Sequence, residues 1–362
     1  MEFTSKARLE NGCIIAEVIA PAADENTKYA YYLYEKTQGL LEKRMYTSNP
    51  TCSFQPPCSG TYYVKAFVRH WPNGDKGGFT TISQKTNNVS VYPTTPLSYE
   101  DLDAERFQKS GSTLYTILWD GVRFEFLINY RPGSSRAVVF GTGKVSGDIR
   151  PVFSRATWAN DLPETAIYYF DPTVYLGDCN LGWCYGTNDR WYLKDISHLL
   201  EVILRKLDIP VSNTLFYGSS GGGFTSMCLA SMLQSKATVI NPQFLVENYK
   251  APALKRLKSV CLRDGETLLS ERLSVLSVFE KYSYFPPLHI VENILSPDDI
   301  ETQLTPFLQQ LTQAAPNSIR RLTVDFFSHE DGHNGMLSKD VCLRHIAEDL
   351  DQLSPVHPGV EL

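Results

Sequence analysis

The stretch of the chain most suited to chemistry is Thr214-Leu215-Phe216-Tyr217-Gly218-Ser219-Ser220-Gly221-Gly222-Gly223-Phe224. An apolar, strand-forming run meets Gly-x-Ser-x-Gly, and a helix-competent segment follows at once. A strand that turns this sharply into a helix crowds the positions two before and two after the serine, so Gly218 and Gly222 are required there. The turn lifts the Ser220 hydroxyl to a helix N-terminus, where partial positive charge favours a developing oxyanion. The chemistry such a residue can do is attack on a carbonyl to form an acyl-serine. A glycine-rich junction can also cradle phosphate or merely turn the chain, but the full Gly-x-x-x-x-Gly-Lys-Ser/Thr loop is absent. Ser219 is the poorer nucleophile, because Tyr217 stands where a glycine is needed.

A serine needs a base. Of the histidines after Ser220, His289 lies within a strand-like run, and His345 and His357 fall in or beyond the last helical segment. His329 and His333 remain, in Phe327-Ser328-His329-Glu330-Asp331-Gly332-His333-Asn334-Gly335 between a strand-like and a helix-like segment. His333, directly after a glycine, is the expected base, with His329 as the alternative. The acid that orients it should follow the strand Leu288–Val291. Glu292-Asn293-Ile294-Leu295-Ser296-Pro297-Asp298-Asp299 offers two aspartates there. Asp298, the first acid after the loop, is the expected partner, and Asp299 reads as that or as a helix N-cap. Oxyanion donors are expected from the Gly221 N–H and from Gly141 or Thr142 in the loop after Ala137–Phe140.

The elements that must hold these residues follow from periodicity. Residues 1 to about 92 carry short aromatic and β-branched runs between polar turns: Cys13–Val18, Tyr29–Tyr34, Thr61–Val68 and Val89–Tyr92. They predict an antiparallel, immunoglobulin- or fibronectin-like sandwich over 1–96, with Ser59-Gly60-Thr61-Tyr62-Tyr63-Val64-Lys65-Ala66 as a late strand. Pro93-Thr94-Thr95-Pro96 reads as a stiff linker. From about residue 100, Thr113–Trp119 and Val122–Tyr130 flank an Asp120-Gly121 hairpin turn. Short apolar strands then alternate with helices: Ala137–Phe140, Ala166–Phe170, Thr214–Tyr217, Ala237–Ile240, Leu288–Val291 and Leu322–Phe326 against Tyr192–Lys206, Phe224–Leu233, Leu269–Lys281, Ile300–Thr312 and Lys339–Leu353. This pattern predicts an α/β-hydrolase-like, mostly parallel sheet with helices on both faces over 97–362.

The whole-chain chemistry narrows the classes. A net charge of −6 over 362 residues provides no broad basic surface, which argues against nucleic acid as partner. No apolar run approaches the ~20 residues needed to span a bilayer. Met1-Glu2-Phe3-Thr4-Ser5-Lys6 lacks the layout of a secretory leader, so the expected location is cytoplasmic. Among the eight cysteines, Cys52/Cys58 and Cys179/Cys184 lack zinc-ribbon spacing; structural thiols are expected, with no metal and no tightly bound cofactor.

At Tyr217-Gly218-Ser219-Ser220-Gly221-Gly222-Gly223, Asn241-Pro242-Gln243, Tyr249 and Asp298-Asp299 the sequence resembles bacterial surface-polysaccharide O-acetyltransferases of the meningococcal serogroup A capsule type. The resemblance implies Ser220, Asp298 and His333 as a triad, an acyl-serine intermediate, acetyl-CoA as donor and a sugar hydroxyl as acceptor. The chain departs from that pattern at Gly221, where the capsule enzyme has a lysine. Asp171-Pro172 and Gly182-Trp183-Cys184-Tyr185-Gly186 resemble the wider group and carry no assigned chemistry. The expected function is serine-dependent acyl transfer on carbohydrate, as O-acetyltransferase or esterase. The alternatives are a hydrolase-like scaffold used in polysaccharide or protein export, and a serine peptidase.

Overall fold

The computed structural model describes residues 2–10, 12–57, 60–72, 78–102, 107–109, 111–145 and 150–352. The chain divides into two compact units, Met1–Pro93 and Thr94–Leu362. Every described element of the first is a strand. β1 (Thr4–Glu10), β2 (Cys13–Ile19) and β5 (Thr51–Phe54) form one antiparallel sheet in the order β1-β2-β5. β3 (Thr27–Glu35), β4 (Gly39–Thr47), β6 (Gly60–His70) and β7 (Thr80–Lys85) form another in the order β4-β3-β6-β7, with β8 (Val89–Val91) also on β6. Alternation sets Ile14, Ala16 and Val18 inward from one sheet and Tyr31, Leu33, Val64 and Ala66 inward from the other, all buried. Ser59 and Cys58 lie outside the described residues.

The second unit starts earlier than the proline-bounded linker implied. Thr94–Ser98 is a strand, β9, pairing in parallel with β10 (Gly111–Trp119). Pro96 is accommodated because β9 is the outermost strand, where a missing N–H costs no ladder bond. β10 and β11 (Val122–Tyr130) meet through Asp120 and Gly121, both with positive φ (45° and 76°), as a tight two-residue hairpin demands.

β12 (Ala137–Phe140), β13 (Thr165–Tyr169), α1 (Tyr192–Lys206), β14 (Thr214–Ser220), α2 (Gly221–Met232), β15 (Lys236–Pro242), α3 (Ala251–Cys261), α4 (Val275–Lys281), β16 (Leu288–Asn293), α5 (Pro297–Asp299), α6 (Thr305–Ala314), β17 (Leu322–Phe327) and α7 (Lys339–Gln352) follow. The sheet order is β17-β16-β15-β14-β12-β13-β11-β10-β9, with β11 alone running against its neighbours. Ala137, Val139, Phe216, Val239 and Ile290 face a core shared with α1, α2, α4 and α6. On the opposite face Phe140 stacks on Tyr168 (4.6 Å) and approaches Tyr217 (5.5 Å). Here α7 is held by Asp349, which accepts from Thr238 Oγ1 at 2.5 Å. Both faces of the parallel strands are therefore covered, which is why they read as unbroken apolar runs.

Three helices differ from their sequence patterns. α2 begins at Gly221 rather than Phe224, and the Leu269–Lys281 segment is α-helical only from Val275. The Ile300–Thr312 segment is preceded by the α5 turn and passes through a π-helical stretch, Ile300–Leu304. α3 was not expected, although Ala253, Leu254, Leu257, Val260 and Cys261 recur at helical spacing along it; of these only Leu257 and Cys261 are fully buried. The seven described cysteines are all free thiols.

Candidate active site

β14 runs into α2 through Ser220, whose backbone sits at φ 55°, ψ −129°, a region costly for any residue with a side chain. The glycines explain how the turn closes. A Cβ on Gly218 would stand 2.2 Å from the Gly222 carbonyl oxygen, and one on Gly222 would stand 2.7 Å from that of Gly141. The turn aims the Ser220 hydroxyl at His333: Oγ to Nε2 is 2.9 Å. The Ser219 hydroxyl is engaged elsewhere, accepting from Arg155 Nη2 at 3.1 Å.

The imidazole is held from behind by Asp299, not Asp298. His333 Nδ1 lies 2.8 Å from both Oδ1 and Oδ2 of Asp299, whose side chain is buried. Ser296 Oγ donates to Asp299 Oδ2 at 2.6 Å, fixing the carboxylate. Asp298 is exposed, and its backbone carbonyl accepts from Thr302 Oγ1. The physical reason is helical phase. Pro297–Asp299 is a helical turn, so consecutive side chains diverge by about 100° and only one can face the site. Asp299 therefore points inward to His333 rather than capping with its side chain. His329 lies apart, half-exposed, with its Nδ1 accepting from the Asp331 N–H at 3.2 Å.

Two buried asparagines, absent from the sequence reading as positioning groups, tie the loops together. Asn241 Nδ2 donates to the carbonyls of His333 (3.2 Å) and Gly335 (2.9 Å), while its Oδ1 accepts from Asn293 N (2.8 Å). Asn293 Nδ2 donates to the carbonyls of His329 (2.7 Å) and Gly332 (2.8 Å). The base loop is thus fixed to the ends of β15 and β16 rather than left to its own turns.

The expected oxyanion donors fare differently. Gly221 is the first residue of α2, so its N–H has no acceptor within the helix. Gly141 does not serve: its N–H donates to the Tyr217 carbonyl at 2.8 Å. Gly141 is needed for close approach, since a Cβ there would lie 2.4 Å from the Gly222 oxygen. The Thr142 hydroxyl donates to the Tyr169 carbonyl, a bond that does not involve the backbone N–H expected as a donor. A hydrogen bond to the serine itself comes from an unexpected place. Gln243, fully buried, directs Nε2 to Ser220 Oγ at 3.2 Å. Its Oε1 accepts the Trp183 indole N–H at 2.5 Å, which settles which end of the amide faces the serine. Gln303, in the π-helical stretch, accepts from the N–H groups of Phe244 (2.8 Å) and Leu245 (2.9 Å) and so anchors the chain just beyond Gln243.

Trp183 explains the aromatic insertion between β13 and α1. The buried Asp171 carboxylate accepts from the N–H groups of Thr173 (2.9 Å), Gly182 (3.1 Å) and Cys184 (3.0 Å). Burial pushes this carboxyl up from its ordinary value, and the bonds from Cys184 and Thr173 oppose the shift. They fold the insertion so that Trp183 reaches Gln243. The same packing explains Gly221, where a Cβ would stand 2.6 Å from Leu181 Cδ1 and 3.2 Å from Trp183 Nε1. Tyr249 flanks the site, its ring 5.9 Å from Trp183 and 6.2 Å from His333.

The strand order, with the serine turn after β14 and the base after β17, is that of α/β-hydrolase-type proteins. The capsule O-acetyltransferase of Neisseria meningitidis serogroup A, solved as a mutant with CoA, matches at a TM-score of 0.51 and 15% identity, over 69% of this chain and 100% of that one. Prolyl oligopeptidase B from Galerina marginata matches at 0.50 and 12% identity, over 95% of this chain but 49% of that one. An S-formylglutathione hydrolase from Agrobacterium tumefaciens matches at 0.48 and 13% identity, over 68% of this chain and 97% of that one. At these identities the likeness is one of fold. No protein-family model matches the chain, and no curated protein matches it in sequence. Among the described residues no group of three or more His, Cys, Asp or Glu could hold a metal, and no helix is long and apolar enough to cross a membrane.

Proposed function

We propose that the chain is a serine-dependent acyltransferase or esterase acting on a bacterial surface polysaccharide, with Ser220, His333 and Asp299 as its triad. The observation that carries this reading is the continuous relay from Ser220 Oγ to His333 Nε2 and from His333 Nδ1 to the buried Asp299. With Nδ1–H donated to Asp299, Nε2 is free to accept the serine proton. Ser220 Oγ attacks the carbonyl carbon of an acyl donor and its proton passes to His333, while Asp299 stabilises the imidazolium. The oxyanion is met by the Gly221 N–H and Gln243 Nε2. Collapse breaks the bond to the leaving group, which takes the proton from His333 and leaves acyl-Ser220. A sugar hydroxyl, or water in an esterase, then gives its proton to His333 and attacks the acyl carbon; the bond from that carbon to Ser220 Oγ breaks, His333 returns the proton to Oγ, and the ester or acid leaves.

The capsule enzyme with the same fold was solved with CoA, which makes acetyl-CoA the donor of choice. We read Met1–Pro93 as an immunoglobulin-like module presenting the polymer, and the site of action as cytoplasmic. The test is to incubate the protein with acetyl-CoA or a chromogenic acetate ester and to locate label by mass spectrometry. Acetyl on the Ser220 peptide is expected. Turnover unaffected by Ser220→Ala sinks the reading.

A further inference from the structure

The five-stranded sheet of the first unit carries an uncompensated charge pattern on its outward face. In the antiparallel register Lys65 lies directly opposite Lys85, and Lys28 directly opposite Arg69. Like charges in directly opposed positions destabilise a sheet. Lys43 joins the first pair, since Lys43, Tyr32, Lys65 and Lys85 are successive cross-strand neighbours. With strands about 4.8 Å apart, that row places three cations within roughly 15 Å.

No ion pair to a carboxylate relieves them among the described residues. Among the described residues that alternation brings to this face, none is acidic. The described ion pairs of the unit involve Arg8, Arg44 and His70 instead. The five cations are held upright against aromatic rings: Lys85 over Tyr63 (4.0 Å), Lys43 over Tyr32 (5.1 Å), Lys65 over Phe67 (5.3 Å), Lys28 over Trp71 (5.5 Å) and Arg69 over Phe79 (4.2 Å). On a chain of net charge −6, this is a local basic surface with no acid of its own among the described residues.

We propose that this face, where Lys65/Lys85 and Lys28/Arg69 stand opposed among aromatic side chains, binds an anionic polysaccharide. The choice of a carbohydrate rests on the acceptor class inferred for Ser220. Charge complementarity requires an anion repeated along a polymer, because the two cation rows lie four residues apart on β6, roughly 13 Å. Single-stranded nucleic acid binds by stacking bases on open ring faces. Here Tyr34 and Tyr63 stack on each other at 4.9 Å and Lys85 lies over Tyr63, so the central ring pair is closed to a base, and Phe79 at the edge is the one large exposed aromatic among the rings named. Sugar hydroxyls find partners instead in the exposed Ser83 of β7 and in Thr81, whose Oγ1 accepts from Arg69 Nε at 3.1 Å and keeps its own O–H to donate.

The test titrates the full chain by calorimetry with polygalacturonate, neutral dextran and oligothymidylate. Polygalacturonate should bind, dextran should not, and binding should weaken as salt is raised. Lys65→Gln/Lys85→Gln and Lys28→Gln/Arg69→Gln should each weaken it by about tenfold or more. Their Tm should be unchanged or higher, since a like-charge pair is removed. Chromogenic ester turnover should be unaltered in both variants, and Ser220→Ala should bind polygalacturonate as the parent does. The two readings thus fail separately: an inert Ser220 with intact binding removes the proposed chemistry alone. Dextran binding equal to polygalacturonate, variants binding as tightly as the parent, or a preference for oligothymidylate each overturns the proposed site.

Discussion

Gln243 and Trp183 are sixty positions apart in the chain, yet the indole N–H of one fixes the amide of the other at 2.5 Å and turns its Nε2 towards Ser220. A donor locked this way needs no reorganisation when negative charge develops, which is the condition for strong oxyanion stabilisation. Gln243→Ala should lower kcat by about a hundredfold while Ser220 still acylates. Trp183→Phe, which leaves Gln243 in place but unlocked, should fall between parent and Gln243→Ala. Steady-state kinetics on an acetate ester reads both. A Gln243→Ala enzyme with unchanged kcat removes Gln243 from the oxyanion site.

The choice of acid is separable by one residue. Asp299→Asn should cost on the order of 10³- to 10⁴-fold in kcat, because an amide lets the imidazole take the wrong tautomer. Asp298→Asn should stay near parent activity, its carboxylate being in solvent. Circular dichroism of both variants separates lost chemistry from lost fold. Comparable losses in the two would show that the carboxylate facing His333 is not the orienting group.

Glu292, at the end of β16, is fully buried, and among the described residues neither carboxyl oxygen has a hydrogen-bond partner. Burial, with the nearby Asp299 charge adding to it, pushes its carboxyl up to about 9 from an ordinary 4.5. The sign follows from proton counting. Below pH 4.5 both folded and unfolded states hold the proton, and the group is neutral to stability. Between 4.5 and 9 the folded state holds a proton that the unfolded state has released, so stability falls as pH rises. Glu292→Gln should therefore gain on the parent with increasing pH, by on the order of a few kcal/mol near pH 7. Urea unfolding at pH 4.5 and pH 8 measures this. A difference between the two proteins that does not grow with pH would place the Glu292 proton elsewhere.

The strands that build the site were readable because each is a short apolar run between breakers, and β12, covered on both faces, spans the predicted Ala137–Phe140. The serine turn was readable because steric crowding leaves its glycines no substitute. The carboxylate that meets His333 is one residue beyond the expected Asp298 because phase within the α5 turn is invisible to spacing alone. Gly141 looked like a donor because a flexible loop residue was expected to aim its N–H inward; in the fold that N–H completes the bond to Tyr217. Gln243 was legible only as part of a resemblance, and Trp183 only as an aromatic insertion. Their contact is made by tertiary folding, and no local pattern encodes it.

Ser220 is itself a source of strain. Its φ of 55° and ψ of −129° lie where a Cβ is disfavoured, and the residue stays there because β14, α2 and the glycines around it over-determine the turn. Glycine has no such penalty. Ser220→Gly should therefore abolish acyl transfer and at the same time stabilise the fold, by about 1 kcal/mol, a gain offset in part by the greater freedom of glycine in the unfolded chain. Ser220→Ala loses the hydroxyl but keeps the Cβ, so it should be equally inactive with stability close to the parent. Thermal unfolding of the three proteins side by side makes the comparison. If Ser220→Gly unfolds no later than Ser220→Ala, the turn is not strained at the serine, and the positive φ is a resting conformation that the surrounding packing holds without cost.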